Sequence, residues 1–386
     1  MEGRRILWIV AEDWFFRLHY LALAEALIAA GAEVHLAARI GQRGPGAQAA
    51  VEAAGITVHP LSNLDRTGLN PRADLAAEAE MTALCRRLSP DLVQTVAVKP
   101  VLYGTVAARK AGVPGIAAWL PGLGYVFTGS SLKARLLRPM VSLLLRRALG
   151  DGRIAAMTLN TDDQAAFAHL IGRRTEDVTV ISGTGVDLER FSVSPEPQGP
   201  VIASFVGRVL REKGVEELVA AARLLKQRDI TVQIRVVGAP DTENPTAVSE
   251  VELRRWTSDG LIDWTGPTED VPEVWRSSHI AVLPSHREGL GMSLIEAAAC
   301  GRPAVTTDVP GCRQAVQHER TGLVVPLKDP AALADAIGRL ALDPDLRHRL
   351  GQAARARAAA EFGLEAVRAQ LMALYRDLLK DRSTAT

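Results

Sequence analysis

Two short stretches carry side chains whose types and spacing suit work on a phosphorylated sugar. The first is Ser285-His-Arg-Glu288-Gly289-Leu290-Gly291-Met292-Ser293-Leu294-Ile-Glu296. It follows Ile280–Leu283, which reads as a strand, and opens a segment of helical period. Glu288 then falls in the loop at the strand's carboxyl end, and Glu296 lies about one helical turn beyond Met292. Gly289 and Gly291 leave backbone N–H groups exposed at the helix start, where partial positive charge favours phosphate. Such amides would take a diphosphate, and the two carboxylates would accept hydrogen bonds from sugar and ribose hydroxyls. Taken alone, the same residues also read as a capped loop with a surface Glu296. The second stretch is Gly207-Arg208-Val-Leu-Arg-Glu-Lys213-Gly214, directly after the strand candidate Val201–Val206. Two cations at a strand-to-helix junction, between glycines that let the backbone turn tightly, make a phosphate clamp. Alone it would pass for an ordinary basic loop. Both stretches stand in the same half of the chain, each at the carboxyl end of its strand, and chance is a poor explanation for that.

The elements that must position them follow a regular rhythm of β-branched runs and Ala/Leu-rich helical segments, the pattern of a parallel sheet covered on both faces. In the first half, strands are expected at Ile6–Ala11, Glu33–Ala37, Ile56–Pro60, Leu92–Val96, Gly115–Trp119, Ala155–Leu159 and Val178–Ile181, with helices near Leu18–Ala30, Ala73–Leu88, Val101–Ala111 and Asp162–Ile171. The proline-rich stretch Ser192–Pro200 interrupts this. The alternation restarts with strands at Val201–Val206, Thr231–Val237, Ile262–Thr265, Ile280–Leu283, Ala304–Thr307 and Leu323–Val325, and the chain from about Asp345 to Lys380 reads as helix. The expected fold class is α/β: two tandem doubly wound, Rossmann-like domains facing across a cleft, with ligands outside the carboxyl ends of the strands. The expected domains are residues 1–195, residues 196–365, and a terminal helix, 366–386, returning to the first domain.

Composition narrows the partners. The chain has 386 residues, of which 47% are hydrophobic and 23% charged, which excludes a disordered chain. A net charge of +1 and 4% aromatics give neither a global basic field nor a stacking surface, so nucleic acid is not an expected partner. Cys85, Cys300 and Cys312 lack zinc or thioredoxin spacing and read as buried thiols in a reducing compartment. Six apolar residues, Ile6–Ala11, ending in Glu12 and Asp13, suit a buried strand rather than a signal peptide, and no apolar run is long enough to span a bilayer. The expected location is cytoplasmic. No metal-ligand spacing stands near the two motifs.

These motifs, with Gly301–Arg313, Gly322–Pro326 and Gly185–Phe191, resemble the retaining family 4 glycosyltransferases of GT-B fold. The resemblance covers almost the whole chain and is most specific in the second half. It implies metal-independent transfer from a nucleotide-diphospho-sugar with retention at the anomeric carbon, and no cofactor beyond the donor substrate, a UDP-sugar. Carried onto this chain, it implies that Arg208 and Lys213 hold the donor diphosphate, that Glu288 contacts the donor sugar, and that Glu296 meets the ribose hydroxyls. The donor surface would comprise Gly207, Arg208, Lys213, Glu288, Gly289, Leu290, Gly291, Met292, Ser293, Leu294 and Glu296, with Arg208, Lys213 and Glu288 catalytic. The physics agrees, since cations and amides fixed beside the departing phosphate act most strongly in the transition state.

Within the family, Glu12–His19, Lys99–Gly104 and Gly122–Thr128 resemble the branch that extends glycans on a polyprenyl-diphosphate carrier in bacterial surface polysaccharide assembly. The implied acceptor is a polyprenyl-diphosphate-linked saccharide, with His19, Lys99, Gly122 and Gly124 as acceptor-binding candidates. Two departures stand out. Glu12-Asp13-Trp14 replaces a Gly-Gly, and Pro121-Gly122 replaces a His-Gly, so a role for that histidine does not transfer to Pro121. His19, expected at the start of the first helix, is either a substitute or a structural residue. Lys99 either meets acceptor phosphate or is solvated. Gly122 and Gly124 lack the third glycine and the distal acid of a dinucleotide fingerprint, which excludes hydride chemistry.

Ser130–Leu149 places Lys133, Arg135, Arg138, Arg146 and Arg147 among Leu, Met and Val residues with no acid. Such a helix suits an anionic membrane surface, with Pro139 expected to kink or divide it; the alternative is a core helix with a solvated basic face. The expected enzyme is therefore a hexosyltransferase moving a sugar of N-acetylated hexosamine type, peripheral to the inner face of the cell membrane. A UDP-sugar epimerase of the same fold and a non-catalytic sugar-nucleotide receptor are the alternatives.

Overall fold

A computed structural model of the chain describes residues 1–41, 46–65, 70–122, 132–150, 153–241, 244 and 246–380. It divides into two compact units, Met1–Thr184 with Leu364–Thr386, and Gly185–Gly363. In the first unit, strands β1 (Arg5–Glu12), β2 (Glu33–Arg39), β3 (Thr57–Pro60), β4 (Leu92–Val96), β5 (Gly115–Trp119), β6 (Ala155–Thr158) and β7 (Val178–Val180) form one 7-stranded sheet in the order β3-β2-β1-β4-β5-β6-β7. In the second, β8 (Val201–Val206), β9 (Val232–Val237), β10 (Asp263–Gly266), β11 (Ile280–Leu283), β12 (Ala304–Thr307) and β13 (Gly322–Val325) form a 6-stranded sheet in the order β10-β9-β8-β11-β12-β13. The strand pairs are parallel. Both units are Rossmann-like, as the alternation of runs requires. Helices cover both faces of each sheet, so central strands are buried along their length, and Leu7, Trp8 and Ile9 of β1 are wholly buried.

The first helix departs from expectation. It begins at Asp13, directly after β1, and runs as Asp13–His19 and then Leu21–Ala29. The Asp13 carboxylate accepts the N–H groups of Trp14 at 2.8 Å and Gly41 at 3.1 Å, which anchors the helix start where a loop was expected. His19 is consequently the last residue of its helix. The helices Gly46–Ala53, Val271–Arg276 and Pro310–Ala315 are too short for periodicity to reveal them. Leu132–Leu149 is one helix, and Pro139 lies inside it without dividing it.

The compact second unit begins at Gly185, upstream of the expected seam at 195. Its own side chains hold the proline-rich stretch. The buried Arg302 donates to Ser194 Oγ at 2.7 Å and to the Pro195 carbonyl at 3.0 Å, and Arg347 grips Glu196 through two contacts of 2.9 Å. The final helix, Leu364–Lys380, packs in the first unit, where the buried Tyr375 hydroxyl donates to Gln94 Oε1 on β4 at 2.9 Å. Cys85, Cys300 and Cys312 are free and buried. Burial pushes their thiols up to about 12, 11 and 12 respectively.

Candidate active site

Strand order in the second unit reverses between β8 and β11, which lie side by side. A doubly wound sheet opens its binding crevice at such a reversal. The loops leaving these two strands are the two motifs singled out by the sequence, and they are stitched together. Gly214 adopts φ +75°, and a Cβ there would stand 2.0 Å from the Pro284 carbonyl oxygen, so only glycine permits this approach. The His286 N–H donates to the Glu212 carbonyl at 2.8 Å, and Ser285 Oγ, 3.3 Å from the same oxygen, donates to the Arg287 carbonyl at 2.9 Å. Across this seam Lys213 Nζ meets Glu288 Oε1 at 2.5 Å, with the two side chains 19% and 11% exposed.

Arg208, on the same loop as Lys213, pairs through Nη1 with Asp241 Oδ2 at 2.9 Å. Asp241 is almost buried, whereas Arg208 remains open to solvent on one side. The pairing follows from topology, because β8 and β9 run in register to Val206 and Val237, and both side chains leave adjacent strand ends. Gly238 lets the two loops cross closely, since a Cβ there would fall 1.8 Å from the Gly207 carbonyl oxygen.

Downstream of Glu288, the Gly291 N–H donates to the Gly311 carbonyl at 3.3 Å, which ties the loop after β11 to the helix following β12. No side chain caps the helix Met292–Ala299, and the Met292 N–H donates to the Leu290 carbonyl at 2.9 Å. Leu290 and Leu294 are packed into the interior, and any contact they make with a donor would run through backbone. Met292 and Ser293 are half-buried. Glu296 has different neighbours from Glu288. Burial pushes its carboxyl up to about 7, against weaker opposing pulls from the Trp275 indole and the Arg190 charge.

Two features here escaped the sequence reading. One is Asp241, an acid whose relation to Arg208 appears only once β8 and β9 are known to be neighbours. The other is Glu217 of the helix Val215–Gln227, whose Oε1 contacts His286 Nε2 at 2.9 Å. His286 stands two residues before Glu288, and that proximity was the available signal.

In the first unit the reversal lies between β1 and β4. Ala97, just past β4, adopts φ +77°, a left-handed conformation that disfavours any residue with a Cβ. Lys99 follows it and pairs with Asp74 at 2.9 Å, both largely buried, so its ammonium is not solvated. Tyr103 joins them, its hydroxyl pushed up by burial and by the Asp74 carboxylate. The His19 ring packs on Phe15 with centroids 4.5 Å apart. Glu12 pairs with Arg39 at 3.5 Å and accepts from the Trp14 indole. Gly122 is half-buried, while Gly124 lies outside the described residues. Among the described residues, no three His, Cys, Asp or Glu side chains cluster as a metal site requires.

Residues 187–357 match the family described as Glycosyl transferases group 1, and residues 5–149 match Glycosyl transferase 4-like. The chain is 27% identical over 333 residues, 82% of its length and 85% of the relative's, to an N,N'-diacetylbacillosaminyl-diphospho-undecaprenol alpha-1,3-N-acetylgalactosaminyltransferase of Campylobacter jejuni. It is 25% identical over 321 residues, 80% of its length and 82% of the relative's, to a capsular polysaccharide biosynthesis glycosyltransferase, CapM, of Staphylococcus aureus. Its fold matches that of Anabaena HepE, solved with UDP and glucose, with a TM-score of 0.77 at 18% identity, covering 97% of this chain and 100% of that one. The chain belongs to the family 4 glycosyltransferases of GT-B fold, and its activity is glycosyl transfer.

Proposed function

We propose that this enzyme moves a sugar of N-acetylated hexosamine type from a UDP-sugar to a polyprenyl-diphosphate-linked saccharide, with retention and without a metal. The observation that carries the reading is the Lys213–Glu288 contact, made at the strand reversal with Arg208 on the same loop. The named action of the Campylobacter relative on an undecaprenol-linked acceptor supports the choice of acceptor.

The chemistry follows from the charges. Breaking the bond between the anomeric carbon and the diphosphate oxygen leaves negative charge on the departing phosphate. Arg208 and Lys213 neutralise it, in the place a divalent ion would otherwise take. The acceptor hydroxyl attacks on the face the phosphate leaves, and its proton passes to a departing phosphate oxygen. Glu288 holds the donor sugar while remaining paired with Lys213. UDP and the lengthened saccharide are the products.

The helix Leu132–Leu149 supports a membrane-surface site of action. It buries Val141, Leu145, Ala148 and Leu149 on one face. Leu136, Met140 and Leu143, spaced as one helical stripe, are 71%, 43% and 50% exposed on another, and Arg146 and Arg147 are exposed beyond them. None of the described helices is long and apolar enough to cross a membrane. Attachment through this stripe is reversible and salt-sensitive, as each cation near an anionic surface contributes about 1 kcal/mol.

Incubation with a panel of radiolabelled UDP-sugars and a membrane lipid extract tests the proposal. Label should enter the lipid fraction from a UDP-N-acetylhexosamine, with the anomeric configuration kept. Lys213→Ala and Glu288→Ala should each abolish transfer while the protein stays folded. Near-normal turnover in both variants overturns the assignment.

A further inference from the structure

We infer that Glu217 and His286 form a positioning pair that fixes the loop carrying Glu288 against the turn carrying Lys213. The inference rests on the reading of Lys213 and Glu288 given above. The seam between the two loops is closed by two backbone contacts, Gly214 against the Pro284 carbonyl and the His286 N–H on the Glu212 carbonyl. Like the Lys213–Glu288 pair, the 2.9 Å bond between His286 Nε2 and Glu217 Oε1 joins side chain to side chain across it.

The chemistry of that bond suits a brace. An ionised carboxylate only accepts, so the imidazole presents its Nε2–H to Glu217. The side chains are 24% and 17% exposed, and the second carboxylate oxygen, Oε2, is buried with no hydrogen-bond partner. The imidazole is thus the polar group that satisfies this carboxylate. Glu217 sits in the first turn of its helix, where the positive helix end favours a negative charge and a fixed position. Glu217 lies four residues after Lys213 on a rigid helix, and His286 lies two before Glu288 on a loop. Holding one to the other sets the separation of the ammonium and carboxylate that grip the donor. Neither Glu217 nor His286 is assigned a contact with substrate.

Positioning and plain structural support predict different kinetics. Releasing the brace lets the Glu288 loop drift, and misplacement of about 1 Å can cost on the order of a hundredfold in rate. Glu217→Ala and His286→Ala should each lower kcat about ten- to a hundredfold on the radiolabelled UDP-sugar that the panel identifies. The dissociation constant for UDP, measured by calorimetry, should rise far less than kcat falls, because Arg208 and Lys213 stay in place on their own loop. The double variant should be no worse than either single one, and Glu217→Gln, which keeps the Oε1 acceptor, should recover most of the rate. Wild-type kcat in the alanine variants, additive losses in the double variant, or UDP binding that falls in step with kcat would overturn the pairing. If Glu217→Ala does not fold, His286→Ala and Glu217→Gln carry the same test. Lys213→Ala is run beside them. An inactive Lys213→Ala with a normal Glu217→Ala overturns the brace alone, whereas an active Lys213→Ala overturns the reading beneath it.

Discussion

Replacing Gly214 by alanine separates two costs that the structure makes distinct. Gly214 and Gly266 share φ +75° within the same unit, so a Cβ at either meets the same backbone penalty, roughly 1–2 kcal/mol. They differ in space. At Gly266 nothing lies within 4 Å of the added carbon, whereas at Gly214 it would fall 2.0 Å from the Pro284 carbonyl oxygen. Ordinary contact needs more than 3 Å, so the two loops must part by about 1 Å, and forced overpacking of this kind adds about 1–3 kcal/mol. Urea unfolding should therefore show Gly266→Ala destabilised by about 1–2 kcal/mol and Gly214→Ala by about 2–5 kcal/mol, with similar m-values. The same parting pulls Lys213 from Glu288. Gly214→Ala should lose on the order of a hundredfold in transfer, while Gly266→Ala keeps nearly full activity. Equal destabilisation of the two variants, or full turnover in Gly214→Ala, would show that the seam does not govern the site.

Glu296 and the cysteines give two further tests. Burial raises the Glu296 carboxyl to about 7, above its ordinary 4.5. The unfolded chain therefore ionises there first, and the resulting loss of stability begins near pH 4.5 and is complete above pH 7. Glu296→Gln should stabilise the ligand-free protein at pH 8 by up to roughly 3 kcal/mol in urea unfolding, the gain should vanish at pH 4, and UDP binding should weaken at both. A gain independent of pH would contradict the assignment. The buried, raised thiols of Cys85, Cys300 and Cys312 should resist iodoacetamide at pH 8 and react together only in denaturant, as read by mass spectrometry.

Much of this architecture could be read directly. Short runs rich in β-branched residues such as Ile280–Leu283 and Gly322–Val325 coincide with the observed strands because a parallel sheet covered on both faces buries them. Gly214 was legible because the close approach of the Pro284 carbonyl demands glycine there. What stayed hidden depended on lateral order or on local capping. Arg208 and Asp241 belong together only if β9 lies beside β8, and no periodicity encodes that neighbour relation. The early start of the first helix turned on one carboxylate, Asp13, reaching the Gly41 amide beyond the end of the neighbouring strand β2. Lys99 read as either a phosphate ligand or a solvated charge, and its actual partner, Asp74, comes from a separate helix.

The sharpest test of a clamp formed by Arg208 and Lys213 is a comparison of two nucleotides that differ by one phosphate. Calorimetry with UDP and UMP on the wild type should give at least about tenfold tighter binding of UDP, the amount one charge-assisted hydrogen bond to the terminal phosphate supplies. In Arg208→Ala/Lys213→Ala the two affinities should become nearly equal, with UMP binding close to wild type. A preference for UDP that survives unchanged in the double variant would contradict the account.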